Sequence, residues 1–289
     1  MFAKVEAFYR PDNVGEVLRL LRKGKGQARL VAGGTDVVVE GDRTVRYLID
    51  LTRAGLSYIH RRGRAWTIGA TTTMAELEES PAVQTLAGGL LVRAAATCGS
   101  VQIRNMATIG GNLANGSPAA DLATPLLALD AAVVVARGRG RRKMPVSDYF
   151  AAASAGELHE SILVEVVIPE PPAGKRSGWS FQKLGRTALD ISLVNVAAGF
   201  QLDSGGRVKW ARIALGSVAP APLRITAAEQ HMAGRILDQT LIAEACEEVV
   251  RDVAPITDTR ASADYRREIS RVLTGRALEE CAAQGGCPL

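Results

Sequence analysis

Two glycine doublets stand in matching settings, Val31-Ala-Gly-Gly-Thr-Asp36 and Thr108-Ile-Gly-Gly-Asn112. Each follows a stretch that reads as extended, and each joins bare backbone to small polar side chains. A doublet lets backbone N–H groups approach an anion without interference from Cβ. Two such turns converging would clamp a pyrophosphate from both sides, so a dinucleotide is the first ligand to consider.

The spacing argues against the common dinucleotide folds. A Rossmann site needs G-x-G-x-x-G between a strand and a helix, and neither doublet fits. There is also no G-x-x-x-x-G-K-[ST] for a P-loop. What remains is a diphosphate site made of two separated loops. Asp121 bears on the ligand's orientation, because a carboxylate beside a pyrophosphate repels it. If Asp121 lines the site, it accepts from sugar hydroxyls instead. The alternative is an acid in the first turn of a helix, favoured by the dipole. Asp36 faces the same repulsion, which suits a role in fixing its turn.

Elements that would position these residues can be read from capping and periodicity. Asp12 or Asn13 caps a helix through Val14, Val17, Leu18 and Leu21, stopped by Gly24. Residues 29–32 form a strand entering the first doublet, and 45–51 form another. A hairpin is expected from 58–60 and 65–69 around a basic turn. Thr73-Met-Ala-Glu76 is a capping box starting a short helix that ends before Pro81. Residues 83–97 read as one packed helix. Ser117 and Pro118 mark a helix start that Thr124-Pro125 repeats. Strands follow at 131–136 and 162–168.

Residues 170–178 combine proline, glycine and charge as a linker. Beyond it the pattern becomes strands at 179–184, 193–202 and 207–218, with a turn at 203–206. Helices follow at 226–233, 239–253 and 261–283. This is a three-stranded antiparallel sheet plus helices, an α+β domain.

Bulk properties narrow the class. The 289 residues suffice for two modest domains, with 47% hydrophobic and 22% charged residues as in a globular protein. No apolar run approaches the roughly 20 residues of a membrane span, and no signal peptide is recognisable, so a cytoplasmic location is expected. The four cysteines form no C-x-x-C pair and the three histidines are far apart, so no metal site and no acid–base catalyst is expected in this chain. The net charge of +5 is concentrated in Arg61–Arg64 and Arg137–Lys143. Both read as solvated hairpin turns. They lack the interleaved aromatics of a single-strand platform, so nucleic acid is not expected as a partner.

Four stretches together carry a family resemblance: VAGGTDVVV from Val31, QIRNMATIGGNLANGSPAADLATPLLALDA from Gln102, FQKLGRTALDISLVNVAAGF from Phe181, and ARIALGSVAPAPLR from Ala211. In order and over essentially the whole chain, they resemble the FAD-binding medium subunit of molybdenum hydroxylases. That family includes carbon monoxide dehydrogenase, bacterial xanthine dehydrogenase, nicotine and quinoline oxidoreductases and 4-hydroxybenzoyl-CoA reductase.

The resemblance implies an α+β fold with a two-lobed FAD-binding domain of the vanillyl-alcohol-oxidase type over 1–172, its lobes about 1–53 and 54–172. A CO-dehydrogenase-flavoprotein-like domain would follow over 179–284. Leu30, Ala32, Gly33, Gly34, Thr35 and Asp36 match the first pyrophosphate loop, and Thr108, Gly110, Gly111 and Asn112 match the second. Asp121 matches an acid on the ribityl side, in keeping with the repulsion argument. Cys98 and Gly99 fall where the family chain passes the flavin, with Cys98 replacing a more usual aliphatic or aromatic residue. Val164 or Leu163 matches an apolar contact to the ring, and Lys183 or Gln182 a lysine near the isoalloxazine.

The cysteine-bearing insertion of the hydroxybenzoyl-CoA reductases is missing, so their extra cluster is not expected. The implied partners are a large molybdopterin subunit and a small subunit with two [2Fe–2S] clusters, in a dimer of heterotrimers. Two other readings stand beside this one: a stand-alone flavin oxidoreductase of the same superfamily, such as a UDP-sugar reductase, and a non-enzymatic phosphate- or nucleic-acid-binding protein.

Overall fold

The first unit of the chain is built on two sheets. We describe it from a computed structural model covering residues 2, 4–172, 174 and 176–287. Two positions of the expected linker, Ala173 and Lys175, lie outside the described residues. Two compact units emerge, and their segments interleave along the chain: 1–77, 100–116 and 131–169 form one, and 78–99, 117–130 and 170–289 the other.

Its opening elements are β1 (Ala7–Tyr9), α1 (Val14–Lys23), β2 (Ala28–Val31), α2 (Val37–Glu40) and β3 (Tyr47–Asp50). Asn13 caps α1 by accepting from Glu16 N–H, and Gly24 ends it. The three strands form a parallel sheet in the order β1-β3-β2. The apolar face of α1 packs Val17, Leu18 and Leu21 with Ile49 and Leu51. Each such fully buried side chain contributes about 1.5–3 kcal/mol.

Next come β4 (Ile59–Arg62), β5 (Ala65–Gly69) and α3 (Met74–Glu79). The chain then enters the second unit as α4 (Pro81–Thr85), a 3-10 turn (Leu86–Gly89) and α5 (Leu90–Ala96). The single helix expected over 83–97 is therefore broken. Ala87, Gly88 and Gly89 take φ of 49°, 57° and 80°, a left-handed run that helical hydrogen bonding does not tolerate.

α6 (Val101–Met106) and α7 (Ile109–Ala114) return to the first unit, and α8 (Ala123–Ala128) belongs to the second. The helix expected from Ser117 starts only at Ala123. The Ser117 hydroxyl instead closes a turn onto Ala119 N–H, and the Pro118 carbonyl accepts from Ser217 N–H. Pro125 is accommodated in the first turn of α8, where its missing N–H costs no helical bond.

β6 (Ala132–Arg137), β7 (Gly140–Pro145), α9 (Val146–Ser154) and β8 (Ser161–Pro169) complete the first unit. Its second sheet is antiparallel, in the order β4-β5-β8-β6-β7. Most of the basic stretch 137–143, read as a turn, is the edge strand β7. Charged side chains suit an edge because they discourage further pairing.

The second unit continues with β9 (Ser177–Leu184), β10 (Val194–Leu202), β11 (Val208–Gly216) and β12 (Leu223–Arg224). They form an antiparallel sheet, β12-β11-β10-β9. It has four strands where three were expected, the fourth only two residues long. Every residue of β10 is buried. α10 (Thr226–Met232), α11 (Gln239–Asp252) and α12 (Ala263–Gln284) follow. Phe200, Ile213, Leu241, Val249 and Leu278 belong to the core they share with the sheet.

Candidate functional site

β2 ends at Val31, and the first doublet leaves from its carboxyl end, where open parallel sheets take their ligands. Leu30 and Ala32 pack partly against the core under α1. The turn itself faces outward. Among the described residues, the backbone N–H groups of Gly33, Gly34, Thr35 and Asp36 donate to no protein acceptor. Gly34 holds a left-handed φ of 72°. Unpaired amides around a left-handed residue are the kind of concavity in which anions are held. Asp36 is exposed and makes no cap bond to α2; its one side-chain contact is a 3.5 Å bond from Thr35 Oγ1.

The second doublet is built differently. Gly110 N–H donates to Ala70 O at 2.9 Å, and Gly111 N–H to Thr108 Oγ1 at 3.0 Å. Ile109 N–H donates to Thr72 O. These amides are spent inside the unit: those of Ile109 and Gly110 fasten α7 to the segment that follows β5, and that of Gly111 is taken by the cap of α7 itself. The symmetric picture of two amide jaws is thus corrected. The first turn keeps its backbone donors unpaired among the described residues, and the second spends its own inside the unit.

Glycine is required at both turns for close approach. A Cβ on Gly33 would lie 1.7 Å from Met106 O, and one on Gly110 would lie 2.6 Å from both Ala70 O and Ala70 Cβ. The two loops therefore touch, Gly33 resting on the carbonyl that ends α6. Upstream, Thr73 and Glu76 form the expected capping box, with Thr73 N–H to Glu76 Oε2 at 2.7 Å and Glu76 N–H to Thr73 Oγ1 at 3.1 Å.

Val164 lies in β8 with its side chain in the core under α1. Leu163 precedes it, is also buried, and does not belong to that cluster; the β6–β8 register shifts here, leaving Val164 unpaired opposite β6.

The second unit holds Asp121, Lys183, Cys98 and Gly99. Lys183 Nζ donates to Asp121 Oδ2 and to Thr97 O, both at 2.8 Å, and the two side chains are 7% and 9% exposed. Burial pushes the Asp121 carboxyl above its ordinary value, with the Lys183 ammonium pulling the other way. Cys98 N–H continues the end of α5 onto Ala95 O, and Gly99 turns the chain with a φ of 54°. Gln182, the alternative to Lys183, points away: its amide donates to Ser180 Oγ and Glu280 Oε2.

Asn195 and Thr124 were missed. Thr124 Oγ1 donates to Asn195 Oδ1 at 2.6 Å, and Asn195 Nδ2 donates to Asp121 Oδ1 at 3.5 Å. One signal lies in the sequence: Asn195 is an amide near the start of the otherwise apolar run Val194–Phe200 of β10.

Comparison with known proteins defines the family. Residues 3–171 match the FAD binding domain in molybdopterin dehydrogenase, and residues 179–281 match the CO dehydrogenase flavoprotein C-terminal domain. The chain belongs to this family of flavoproteins, and it is an oxidoreductase whose cofactor is FAD. It is 33% identical to a putative xanthine dehydrogenase FAD-binding subunit of Escherichia coli (strain K12), over 97% of each chain.

Among solved structures it is similar to a chain of carbon monoxide dehydrogenase from Hydrogenophaga pseudoflava, with a TM-score of 0.90, 31% identity and complete coverage of both chains. A chain of quinoline 2-oxidoreductase from Pseudomonas putida 86 matches with a TM-score of 0.88 and 26% identity over 99% of each. The unpaired amides at 33–36, in a turn where Gly33 admits no Cβ, fit the anionic diphosphate of FAD. Among the described residues no helix is long and apolar enough to cross a membrane.

Proposed function

We propose that this chain is the FAD-carrying electron-transfer subunit of a heteromeric molybdenum hydroxylase. It takes electrons from [2Fe–2S] clusters of a small partner subunit, reduced in turn by a large molybdopterin subunit, and passes them to an external acceptor. The complex is a cytoplasmic dimer of heterotrimers. The domains run over 1–172 and 179–284.

The amides of 33–36 bind the diphosphate, with Thr108 and Asn112 adding side-chain hydrogen bonds. Asp121 accepts from ribityl hydroxyls, Lys183 holds the Asp121 carboxyl through their ion pair, and Cys98 and Gly99 border the flavin. The apolar ring contact falls to Val164 or Leu163, neighbours in β8. When bound, FAD collects electrons singly and releases them in pairs. The chain's own part is to bind and orient it, and no side chain here acts as a general acid or base.

The observation that carries this reading is the run of four unpaired amides at the carboxyl end of β2. Purification of the native protein tests it. A yellow protein co-eluting with a large and a small subunit supports the reading. A colourless chain that FAD does not reconstitute overturns it.

A further inference from the structure

Asp121 is held on both sides. Lys183 takes Oδ2 on one side. On the other, the chain of donors has only one possible direction. A carboxylate only accepts, so Asn195 must turn its NH2 group to Asp121 Oδ1. Its own Oδ1 is then left facing the Thr124 hydroxyl, which donates to it at 2.6 Å. Asn195 and Thr124 are both 0% exposed. No water competes for these bonds, and an amide buried without partners would be costly.

β11 makes room for this arrangement with a glycine. A Cβ on Gly216 would come within 2.5 Å of Asn195 Oδ1 and 2.8 Å of Thr124 Oγ1. Three elements, α8, β10 and β11, thus converge on one amide whose free end meets a nearly buried carboxylate. An apolar residue at 195 would suit the rest of β10, and the amide there serves Asp121.

We propose that Asn195, oriented by Thr124 and given room by Gly216, is a positioning residue that fixes the plane of the Asp121 carboxylate for the ribityl hydroxyls of FAD. This rests on the FAD reading above. Thr124 sets the direction of the amide, Asn195 sets the rotation of the carboxylate, and neither touches the cofactor.

The test uses the full chain stripped of flavin, titrated with FAD by fluorescence quenching, with visible circular dichroism of the bound flavin as second readout. Thr124→Val keeps the side-chain shape and removes the donor, and Thr124→Ser restores it. The expected result for Thr124→Val is about tenfold weaker FAD binding, the scale of a lost hydrogen bond to a charged network, and an altered flavin dichroism. Thr124→Ser returns both to wild type. Wild-type affinity and an unchanged dichroic spectrum in Thr124→Val would overturn the inference. Failure of the wild-type chain itself to bind FAD would overturn the functional reading instead. If Thr124→Val does not fold, Asn195→Ser, which keeps a donor at reduced reach, replaces it with the same two readouts and the same outcomes.

Discussion

Gly33 and Met106 meet backbone to backbone: the Met106 carbonyl occupies the space where a side chain at position 33 would begin, 1.7 Å from an ideal Cβ. Each residue belongs to a different loop of the first unit, one leaving β2 and the other ending α6. The contact sets how far apart the two loops stand, and so, on the proposed reading, the width of the site that would take the diphosphate. Gly34, beside it, has no such crowding; the nearest atoms to its Cβ would be Val31 Cγ1 and Val38 Cγ2, both at 3.5 Å. Its requirement is conformational, a φ of 72°. The two glycines of one doublet are needed for unlike reasons.

Gly33→Ala should force the loops apart, costing about 1–3 kcal/mol as overpacking does and emptying the flavin site. Gly34→Ala should cost about 1–2 kcal/mol through the left-handed backbone alone, with FAD retained at weaker affinity. Urea unfolding with flavin absorbance of the purified variants separates them. Equal flavin content in Gly33→Ala and wild type would contradict the role given to that contact.

Thr108 caps α7 by accepting from Gly111 N–H. Thr108→Val should lose about 1 kcal/mol of stability and should release more flavin on dilution than wild type, while Thr108→Ser keeps both. Differential scanning calorimetry and the absorbance of the released fraction give the readings. A Thr108→Val protein as stable and as yellow as the serine variant would show that the cap is dispensable.

Much of this was readable because the signals were local. The capping box at Thr73 and Glu76, the cap at Asn13 and the strand before Gly33 each depend on residues within four positions, and each formed where expected. What could not be read depended on distant chain. Nothing near Ser117 shows that the carbonyl of its neighbour is wanted by Ser217, a hundred residues on. The amide of Gly110 looks available in sequence, and Ala70, forty residues earlier, consumes it only once the loops are folded, whereas the Gly111 amide is taken by the local cap Thr108. The two doublets are alike on paper and unlike in hydrogen bonding for that reason.

The basic turns do not combine. Ala65, beside the first turn, pairs with Pro169, and Arg137, beside the second, pairs with Ser161, so the turns lie at opposite ends of β8. Nine residues of strand separate those ends by roughly 25–30 Å. Replacing Arg139, Arg141 and Arg142 by Gln should leave stability within about 0.5 kcal/mol and flavin content unchanged. Neither wild type nor variant should retard single-stranded DNA at physiological salt. A shift seen with wild type and abolished in the variant would establish a nucleic-acid role for the second turn.

Acid should act on the second unit through Asp258. It accepts from the backbone of Arg260 and Ala261 and from the buried Arg266 guanidinium, and these draw its carboxyl down from an ordinary 3.8 to about 2. Because the folded pKa is depressed, the stabilisation is full above the unfolded value near 3.8 and disappears as pH falls through about 2. Asp258→Asn should therefore be less stable than wild type at pH 6, with the difference shrinking between pH 4 and 2. Urea midpoints across that range decide it, and a difference that stays constant with pH would rule out the linkage.

Lys183 and Asp121 form an ion pair almost removed from water, and breaking such a pair is costlier than deleting it. Lys183→Met leaves a buried carboxylate without its counter-charge and frees Thr97 O, which should cost about 3–5 kcal/mol. Asp121→Leu strands the ammonium and should cost a similar amount. The double variant removes both charges and should cost markedly less than the sum of the two, a positive coupling that a double-mutant cycle on the flavin-free chain measures directly. FAD binding should separate the variants again, because the double variant regains stability and still lacks the acceptor at 121. Full FAD affinity in the double variant would remove Asp121 from the binding site while leaving the ion pair as a structural element of the second unit.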